Sequence, residues 1–248
     1  MNKEMKIAIA ILCWNSEKTL EKVYLKIPKE YRKNVFLSDD NSTDSTLKIA
    51  KRLNLKVYTN LRKGGYGSNA KNCFDSAIKE GSDIVVIVHS DDQYDATKIP
   101  SYIKPIIEGK ADFTTGTRMK GGNAKDIMPI HRYYGNKGLT LVENMVLNTG
   151  ISDLHSGMIA VRTSFLKKIP YYKNYDDYTF HSDLIFQFAI AKAKFAEVPI
   201  MSKYEDESQS TSPVRTVIYG FRTLFILAKY IIHKSGLKSF SNFNIKNI

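Results

Sequence analysis

The sequence predicts an α/β protein built on a doubly wound, mostly parallel β-sheet. Two observations lead to this fold class. Short apolar runs recur through the first half of the 248-residue chain, and a helix-forming segment separates each run from the next. One run, "DIVVIV" at residues 83–88, is flanked by polar residues and is rich in β-branched residues, which is typical of a strand buried on both faces. Repeated strand–helix units of this length favour parallel strands joined by helical crossovers.

The first half alternates strand and helix. The predicted strands are residues 7–12, 35–37, 56–59, 83–88 and 113–117. The segments between them carry apolar residues at helical spacing, which are Leu20, Val23, Tyr24 and Ile27 in the first, Ala70, Cys73, Phe74, Ala77 and Ile78 in the third, and Ile103, Ile106 and Ile107 in the fourth. The second helix begins behind the N-cap cluster "NSTDST", Pro28 ends the first helix, and we expect Pro105 to bend the fourth.

Past about residue 120 the pattern changes to helices with isolated strands. Residues 134–147 and 183–192 are predicted to be helical, whereas "GMIAVR" and residues 195–198 are predicted strands. No internal repeat or low-complexity linker interrupts the chain. We therefore expect one catalytic domain over residues 1–212, with a donor lobe at about 1–120 and an acceptor lobe at about 121–212. A C-terminal amphipathic helix and tail are expected at 213–248.

Charge and cysteine content narrow the partners and the compartment. The net charge of +12 favours an anionic partner, but no basic–aromatic RNA motif accompanies it, so nucleic acid is not an expected partner. The two cysteines, Cys13 and Cys73, lie in apolar patterns without zinc spacing and indicate a reducing compartment. No apolar run approaches the ~20 residues that span a bilayer. We expect a cytoplasmic protein, either soluble or bound peripherally to the cytoplasmic face of a membrane.

Polar segments follow each of the five predicted strands. They are "CWNSE", "SDDNSTD", "RKGGYGSN", "HSDDQYD" and "GTRMKGG", in chain order. In open α/β sheets, ligands bind outside the carboxyl ends of the strands. Acidic groups at such a site hold a divalent cation or a nucleoside, and basic groups hold phosphates. The combination predicts a ligand made of a metal ion and a diphosphate.

The glycines of the third segment match a dinucleotide-binding fingerprint only in part. Gly65, Gly67 and Ala70 fit G-x-G-x-x-G/A. That fingerprint belongs in the first strand–helix turn of its unit, with an acidic residue ~20 positions later. Here it follows the third strand, and residue 85 is a valine. We therefore interpret the segment as a plain glycine turn and not as a nicotinamide site.

Five segments in order carry a resemblance to a known family. "AILCWNSEKTL", "VFLSDDNSTDST", "VHSDDQYD", "ADFTTGTR" and "DLHSGMIAVR" resemble the successive signatures of family-2 glycosyltransferases, over roughly residues 6–220. They are most similar to the branch of dolichyl- or polyprenyl-phosphate sugar synthases. The resemblance implies the glycosyltransferase A-type fold (GT-A), transfer from a nucleotide-diphosphosugar with inversion at the anomeric carbon, and a need for Mn²⁺ or Mg²⁺.

The resemblance also implies roles for individual residues. Those expected to bind the nucleotide-sugar are Trp14, Asp39, Asp40, Asp91 and Arg118. Those expected to contact phosphate or acceptor are Arg118, Arg132, Asp153, Ser156, Gly157 and Ser208. Those expected to hold the metal are Asp91, His89 and Gln93. His89 replaces the first acid of the family's Asp-x-Asp element, so it is either a ligand that suits Mn²⁺ or a neighbouring group, and Asp92 could compensate for it.

The expected acceptor depends on whether a general base is needed. A sugar hydroxyl needs one, whereas a lipid phosphate is already ionised. The Gln-x-x-Arg-Trp element of polysaccharide synthases is absent, since Trp14 is the sole tryptophan, and "KYEDESQSTSPVRTVIYG" resembles lipid-phosphate members instead. We expect a polyprenyl or dolichyl phosphate acceptor, with Asp183 as the catalytic carboxylate if a base is required or otherwise a helix N-terminal acid. A saccharide or other hydroxyl acceptor, and a nucleotide-sugar-binding module without turnover, remain open.

The C-terminal helix, expected at residues 215–234, has an apolar face and a basic stripe. The apolar residues at helical spacing are Val217, Ile218, Phe221, Leu224, Phe225, Ala228, Ile231 and Ile232. The basic stripe consists of Arg215, Arg222, Lys229 and His233. Such a helix either lies on an anionic membrane surface or packs its apolar face on the domain.

Overall fold

A computed structural model describes residues 4–60, 63–202 and 213–245. These residues contain one seven-stranded sheet with the strand order β3-β2-β1-β4-β6-β5-β7. The strands are β1 (Ile7–Cys13), β2 (Val35–Asp39), β3 (Lys56–Thr59), β4 (Ile84–His89), β5 (Phe113–Thr117), β6 (Ile159–Arg162) and β7 (Phe195–Pro199). All neighbours pair in parallel except β6, which is antiparallel to both β4 and β5. The prediction of a doubly wound, mostly parallel sheet is confirmed.

Helices cover both faces of this sheet. They are α1 (Leu20–Lys26), α2 (Thr46–Arg52), α3 (Tyr66–Lys79), α4 (Ile99–Ile107), α5 (Ala124–Ile127), α6 (Ile130–Leu147), α7 (Thr163–Leu166), α8 (Phe180–Ile190) and α9 (Pro213–Lys234). Short 3-10 helices lie at Lys29–Asn34, Ala96–Lys98, Tyr171–Lys173 and Ser241–Phe243. Because β6 and β7 join the strands of the first half, a single sheet extends across the predicted lobe boundary near residue 120.

The buried strands divide their side chains between two cores. Ile9 and Ile11 of β1 pack with α1, α2 and α4 on one face of the sheet. Ala8 and Ala10 point the other way and pack with α3, α7 and α8. Side chains alternate between faces along a strand, so a continuous apolar run supplies both cores at once.

A third, smaller core fixes the C-terminal helix. Ile226, Leu227 and Tyr230 of α9 are buried against Phe186 of α8 and against Phe243. Val142 and Val146 of α6 pack against the same cluster. One face of α9 is therefore part of the folded domain.

Two helices begin earlier than the sequence pattern predicts. α6 begins at Ile130, directly after Pro129, and α8 begins at Phe180, so that Asp183 lies in its first turn. At the start of α8, the Asp177 carboxylate accepts a hydrogen bond from the backbone N–H of Thr179 (2.8 Å). Apolar periodicity is a weak guide to such helix ends, because local hydrogen bonds and proline decide them.

Candidate active site at the carboxyl edge of the sheet

Three adjacent strands end together at one edge of the sheet. Cys13 of β1 pairs with Asp39 of β2, and Leu12 of β1 pairs with His89 of β4. Parallel strands in this register place their following loops side by side. The segments that begin with Trp14, Asp40 and Ser90 therefore meet at the position where open α/β sheets bind ligands.

An aromatic ring, a cation and a carboxylate lie on the β1–β2 side of this edge. Lys63 Nζ lies 3.2 Å from the centroid of the Trp14 indole ring, within the range of a cation–π contact. Asp39 is fully buried, and its carboxylate accepts hydrogen bonds from the backbone N–H (3.0 Å) and the hydroxyl (2.5 Å) of Ser42. Lys63 was not anticipated from the sequence, although its segment "RKGGYG" contains it.

Asp40 organises the glycine turn. Its carboxylate accepts hydrogen bonds from the backbone N–H groups of Gly64 (2.9 Å) and Gly65 (2.8 Å) and from the Asn60 side chain (2.7 Å). Gly65 has φ +91°, a conformation that glycine adopts without a steric cost. At Gly67 a Cβ atom would lie 2.3 Å from the carbonyl oxygen of Tyr175. Backbone conformation thus explains the glycine at residue 65 and close packing explains the glycine at residue 67, as expected for a plain glycine turn.

Asn69 of α3 joins the ends of β1 and β2. Its side-chain amide donates to the carbonyl oxygens of Cys13 and Ser38, each at 3.0 Å, and its side-chain oxygen accepts from the Ser38 hydroxyl (2.5 Å). Buried backbone carbonyls require such partners. No sequence signal identified Asn69, because it lies among the apolar positions of a helix.

The two acids after β4 point to different partners. Asp92 adopts φ +58°, and its carboxylate, which is almost fully buried, contacts the ammonium groups of Lys22 (2.7 Å) and Lys26. Burial acts to raise the pKa of Asp92, but the hydrogen bonds and charges of the two lysines outweigh it and lower the pKa. Asp91 accepts a hydrogen bond from the Gln93 backbone N–H (3.2 Å). Asp92 is thus bound to α1 and does not substitute for His89.

His89 is held in one tautomer by its neighbours. Its Nε2 lies 3.2 Å from the carbonyl oxygen of Gly157, which can only accept, so Nε2 carries a proton and, in the neutral ring, Nδ1 carries the lone pair. Tyr94 flanks the same ring at a centroid distance of 5.2 Å, and its hydroxyl accepts from the Gly157 N–H (3.0 Å). A Cβ at residue 157 would lie 2.7 Å from His89 Nε2, so this position needs glycine.

The groups of this loop fit a cation that arrives with a diphosphate. Among the residues that the structure describes, no three His, Cys, Asp or Glu side chains form a complete metal cage. A cation bound to substrate phosphates needs only one or two carboxylates from the protein. Asp91 would supply one, and His89 has the arrangement usual for a ligating histidine, with one ring nitrogen bonded to a backbone carbonyl and the other carrying a lone pair in the neutral ring.

Arg118 and Asp153 form a buried ion pair. Arg118 Nε and Nη2 donate to the two carboxylate oxygens of Asp153 at 2.7 and 3.0 Å, and Nη2 also donates to the His155 carbonyl (3.0 Å). Burial acts to raise the pKa of Asp153, but the charge and hydrogen bonds of Arg118 lower it. The pair joins β5 to the loop that carries Ser156, so its visible role is to position that loop.

A second buried polar network extends from this loop to α9. His155 Nδ1 lies 2.8 Å from the Tyr219 hydroxyl, and His155 Nε2 lies 3.1 Å from the buried carboxylate of Glu143. The Tyr219 hydroxyl continues to Ser182 (3.0 Å), which reaches Thr223 (3.0 Å). Four elements thus meet in one network: α6, the loop before β6, α8 and α9. The "DLHSG" segment contained His155, but its partners are more than ten residues away in sequence.

Two titratable residues of α8 have shifted pKa values. His181 is buried, neither ring nitrogen has a hydrogen-bond partner among the described residues, and desolvation lowers its pKa to about 3. Asp183 is buried on another side of the helix, where desolvation raises its pKa to about 6. It accepts from the Tyr175 backbone (3.3 Å) and from Asn242 (3.4 Å).

Asp183 lines a cavity of about 440 Å³ whose walls contain no residue from the loops after β1, β2 or β4. The lining residues are Lys173, Asn174, Tyr175, Asp176, Asp183, Lys229, Ser241 and Asn242. The hydrogen bonds of Asp183 among the described residues go to Tyr175 and Asn242, and none joins it to the loop of Asp91.

Several other side chains adjoin the strand-end loops. Tyr66 stacks on Tyr178 at 5.3 Å and lies 5.6 Å from the His89 ring. Burial raises the pKa of Tyr178, the nearby negative charge of Asp91 raises it further, and Arg215 opposes both. Tyr178 therefore lies near both the acidic loop and the first turn of α9. None of these aromatic residues was anticipated from the sequence.

The remaining predicted site residues are placed as follows. Arg132 donates to the Thr216 hydroxyl at 3.3 Å, which links the first turns of α6 and α9. Ser156 is fully buried. Ser208 lies outside the described residues.

Comparison with known proteins identifies the family. The family model for glycosyl transferase family 2 matches residues 8–170. An uncharacterized protein of Methanocaldococcus jannaschii is 28% identical over 92% of each chain. A UDP-N-acetylglucosamine–dolichyl-phosphate N-acetylglucosaminyltransferase of Methanococcus voltae is 26% identical, over 89% of this chain and 94% of that protein.

Solved structures show the same fold. Glucosyl-3-phosphoglycerate synthase from Mycobacterium tuberculosis, crystallised with Mn²⁺, UDP and glucosyl-3-phosphoglycerate, superposes with a TM-score of 0.67 at 15% identity. The match covers 92% of this chain and 80% of the synthase. The Mg²⁺ and UDP complex of that enzyme also gives 0.67, covering 92% and 79% of the two chains. The predicted GT-A fold is confirmed. The chain belongs to glycosyl transferase family 2 and is a nucleotide-sugar-dependent glycosyltransferase.

Proposed function

We propose that this enzyme transfers a sugar from a nucleotide-diphosphosugar, with inversion, to a polyprenyl or dolichyl phosphate. The observation that carries the proposal is the common register of β1, β2 and β4, which brings the loops of Trp14, Asp39 and Asp91 to one edge. The Methanococcus voltae relative, which by its name acts on a dolichyl phosphate, supports the lipid-phosphate acceptor.

The donor is bound between the β2 and β4 loops. Trp14 supplies a ring for the base, and the Asp39 carboxylate is an acceptor for base N–H groups. Lys63 is the nearest described cation to this ring and suits a phosphate oxygen. Asp91, with His89 and Gln93 beside it, would hold Mn²⁺ or Mg²⁺, which would supply Lewis-acid stabilisation to a leaving diphosphate.

The position of Asp183 supports a phosphate acceptor. A hydroxyl acceptor needs a carboxylate within hydrogen-bond reach of its proton. Asp183 is the carboxylate that the sequence offers for this task, and it lines a cavity with Asn242 and Lys229 whose walls include no residue of the Asp91 loop. An ionised phosphate attacks without a base, so it makes no demand on Asp183. A hydroxyl acceptor is the alternative, and it predicts that Asp183→Asn abolishes turnover.

The test is a panel of nucleotide sugars incubated with polyprenyl phosphate and Mn²⁺ in detergent micelles. We expect release of nucleoside diphosphate and formation of a sugar–lipid phosphate that depends on Asp91 and survives Asp183→Asn. Glu30→Gln, on the exposed surface, is the matched control for a lost carboxylate. Donor binding without turnover for every acceptor, including saccharides, would instead indicate a binding module.

A further inference from the structure

The outer side of α9 exposes a row of apolar side chains. Val217, Phe221 and Phe225 are all more than half exposed, and Phe221 is 70% exposed. They lie opposite the buried Thr223 and Tyr230. α9 therefore has two apolar sides, and of these two the inner one packs on the domain while the outer one is exposed.

The neighbouring helix α6 exposes a similar row. Ile130, Tyr134, Leu141 and Met145 are exposed and spaced four, seven and four residues apart, so they lie along one side of α6. Met145, like Phe221, is 70% exposed. We call these four residues, together with Val214, Val217, Ile218, Phe221, Leu224 and Phe225 of α9, the α6–α9 face.

The two helices lie side by side and run in the same direction. Arg132 contacts Thr216 near both N-termini. Further along, Val142 and Val146 pack in the cluster that contains Ile226 and Tyr230. An apolar surface shared by two adjacent helices is more than a set of scattered exposed residues, and such patches mark interaction sites.

Charge indicates the occupant. α9 contains no acidic residue, and the one acid of α6, Glu143, is fully buried. Exposed basic groups lie on the same two helices, at His131 and Lys137 of α6 and at Arg215 in the first turn of α9. A second copy of the chain would bring like charges together across a two-fold axis. An anionic bilayer offers hydrocarbon to the apolar side chains and phosphate to the basic ones.

The basic stripe predicted for the C-terminal helix does not lie on this face. Arg222 pairs with Asp177 and covers the Tyr175 ring. Lys229 lines the Asp183 cavity, and His233 accepts a hydrogen bond from the Phe240 backbone (3.1 Å). Three of the four members of the stripe thus contact the domain, so membrane attachment through the stripe stays a prediction and the domain contacts do not support it. The α6–α9 face is what remains exposed.

We propose that the α6–α9 face docks on an anionic lipid bilayer through apolar insertion of both helices. No helix in residues 4–60, 63–202 or 213–245 is long and apolar enough to cross a membrane, so the docking is interfacial. The face begins at Val214 and Ile130, close to Arg215, which adjoins Tyr178 and the acidic loop. This position suits an acceptor phosphate at the lipid surface, a point that rests on the proposed function.

The experiment is flotation of the purified protein with vesicles of phosphatidylcholine and phosphatidylglycerol. Phe221→Gln and Met145→Gln, one on each helix, are tested singly and together. We expect the double variant to lose about ten-fold or more in vesicle partitioning, and each single variant to lose part of it, since each removes one inserted apolar side chain. The matched control is Leu25→Gln with Ile107→Gln, two exposed apolar residues on α1 and α4, which should partition like the parent.

Unchanged flotation of the double variant, or no flotation of the parent, overturns the proposal. If Phe221→Gln reduces flotation and Met145→Gln does not, then α6 takes no part in the docking. The face is a protein interface instead if the parent is dimeric in solution, the double variant is monomeric, and neither protein floats with vesicles. Thermal melts followed by circular dichroism verify that the variants are folded.

The micelle assay separates this proposal from the proposed function. If the parent transfers sugar in micelles but does not float with vesicles, only the docking proposal is overturned. If the parent floats but transfers no sugar, only the proposed function is overturned.

Discussion

Two adjacent acids lie at the end of β2 and two lie just after β4, and the two pairs have different surroundings. After β2, both acids are bound by their own surroundings: Asp39 by Ser42, and Asp40 by the glycine turn. After β4, Asp92 is bound by Lys22 and Lys26 of α1. Within the part of the chain that the structure describes, Asp91 accepts a hydrogen bond from the Gln93 backbone N–H and forms no ion pair. Adjacent carboxylates can thus divide between a structural role and a ligand role, and the division depends on which neighbour supplies donors.

The largest expected effect comes from Asp91. Asp91→Asn should lower kcat about 10³-fold at saturating Mn²⁺, because several kcal/mol of leaving-group stabilisation depend on its charge. Its unfolding free energy should stay within about 0.5 kcal/mol of the parent, since Asp91 forms no ion pair with any of the described residues. The measurement is nucleoside diphosphate release together with urea unfolding. Activity within a few-fold of the parent would remove the metal assignment.

Asp92→Asn should give the opposite result. We expect a loss of about 2 kcal/mol in unfolding free energy, because two lysines lose a buried counter-charge, and only a modest change in kcat. Since its folded pKa lies below the usual value, the stabilisation from Asp92 is present above about pH 4 and is lost as pH falls further. Urea unfolding at neutral pH and at pH 3 measures both. A difference between parent and variant that is as large at pH 3 as at neutral pH would contradict the ion-pair explanation.

His181 and Asp183 on α8 extend the comparison to two groups with opposite pKa shifts. The pKa of His181 falls from 6.5 to about 3, so its contribution makes stability fall as pH drops through that window. The pKa of Asp183 rises from 3.8 to about 6, so its contribution is largest at low pH and is lost as pH rises. Between about pH 4 and 6 the two contributions oppose each other.

Single substitutions should reveal each contribution. Relative to the parent, the unfolding free energy of His181→Phe should fall with rising pH, and that of Asp183→Asn should rise, each by at most about 1.4 kcal/mol per pH unit. Urea unfolding at pH 4, 5 and 6 measures these slopes. The double variant should regain the parental slope. Parallel curves for all four proteins would show that neither group titrates in this range.

The smallest expected effect concerns metal preference. His89→Asp replaces a nitrogen donor by an oxygen donor beside Asp91, so the ratio of Mg²⁺-supported to Mn²⁺-supported activity should rise a few-fold. Gly157, whose carbonyl orients the His89 ring, stays unchanged in this variant. An unaltered ratio would place His89 outside the metal's ligands.

The sequence was sufficient for the sheet but not for the side-chain partners. Apolar runs such as 83–88 predicted the buried strands, and the acids at their ends followed from strand register. The direction in which a side chain points does not follow from such patterns. Asp92 turns towards α1 through a positive φ that no pattern specifies.

The stripe on α9 illustrates the same limit. Seven-residue spacing correctly groups Arg222 and Lys229 on one side of the helix. Which side faces the protein depends on Asp177 and Phe240, residues that are distant in sequence and lie on other elements. Long-range networks such as His155–Tyr219 are invisible to local patterns for the same reason.

The antiparallel strand β6 sets an order of assembly during synthesis. β1, β2, β3 and β4 can pair once β4 has left the ribosome, since their mutual neighbours all precede it. β5 follows, but both of its partners, β6 and β7, are made later. Until β6 arrives, β4 keeps an open edge, and β5 with its buried Phe113 has no sheet to join. Insertion of β6 is therefore the expected slow step of folding, and a pause in translation before residue 159 is when the chain is most exposed to aggregation.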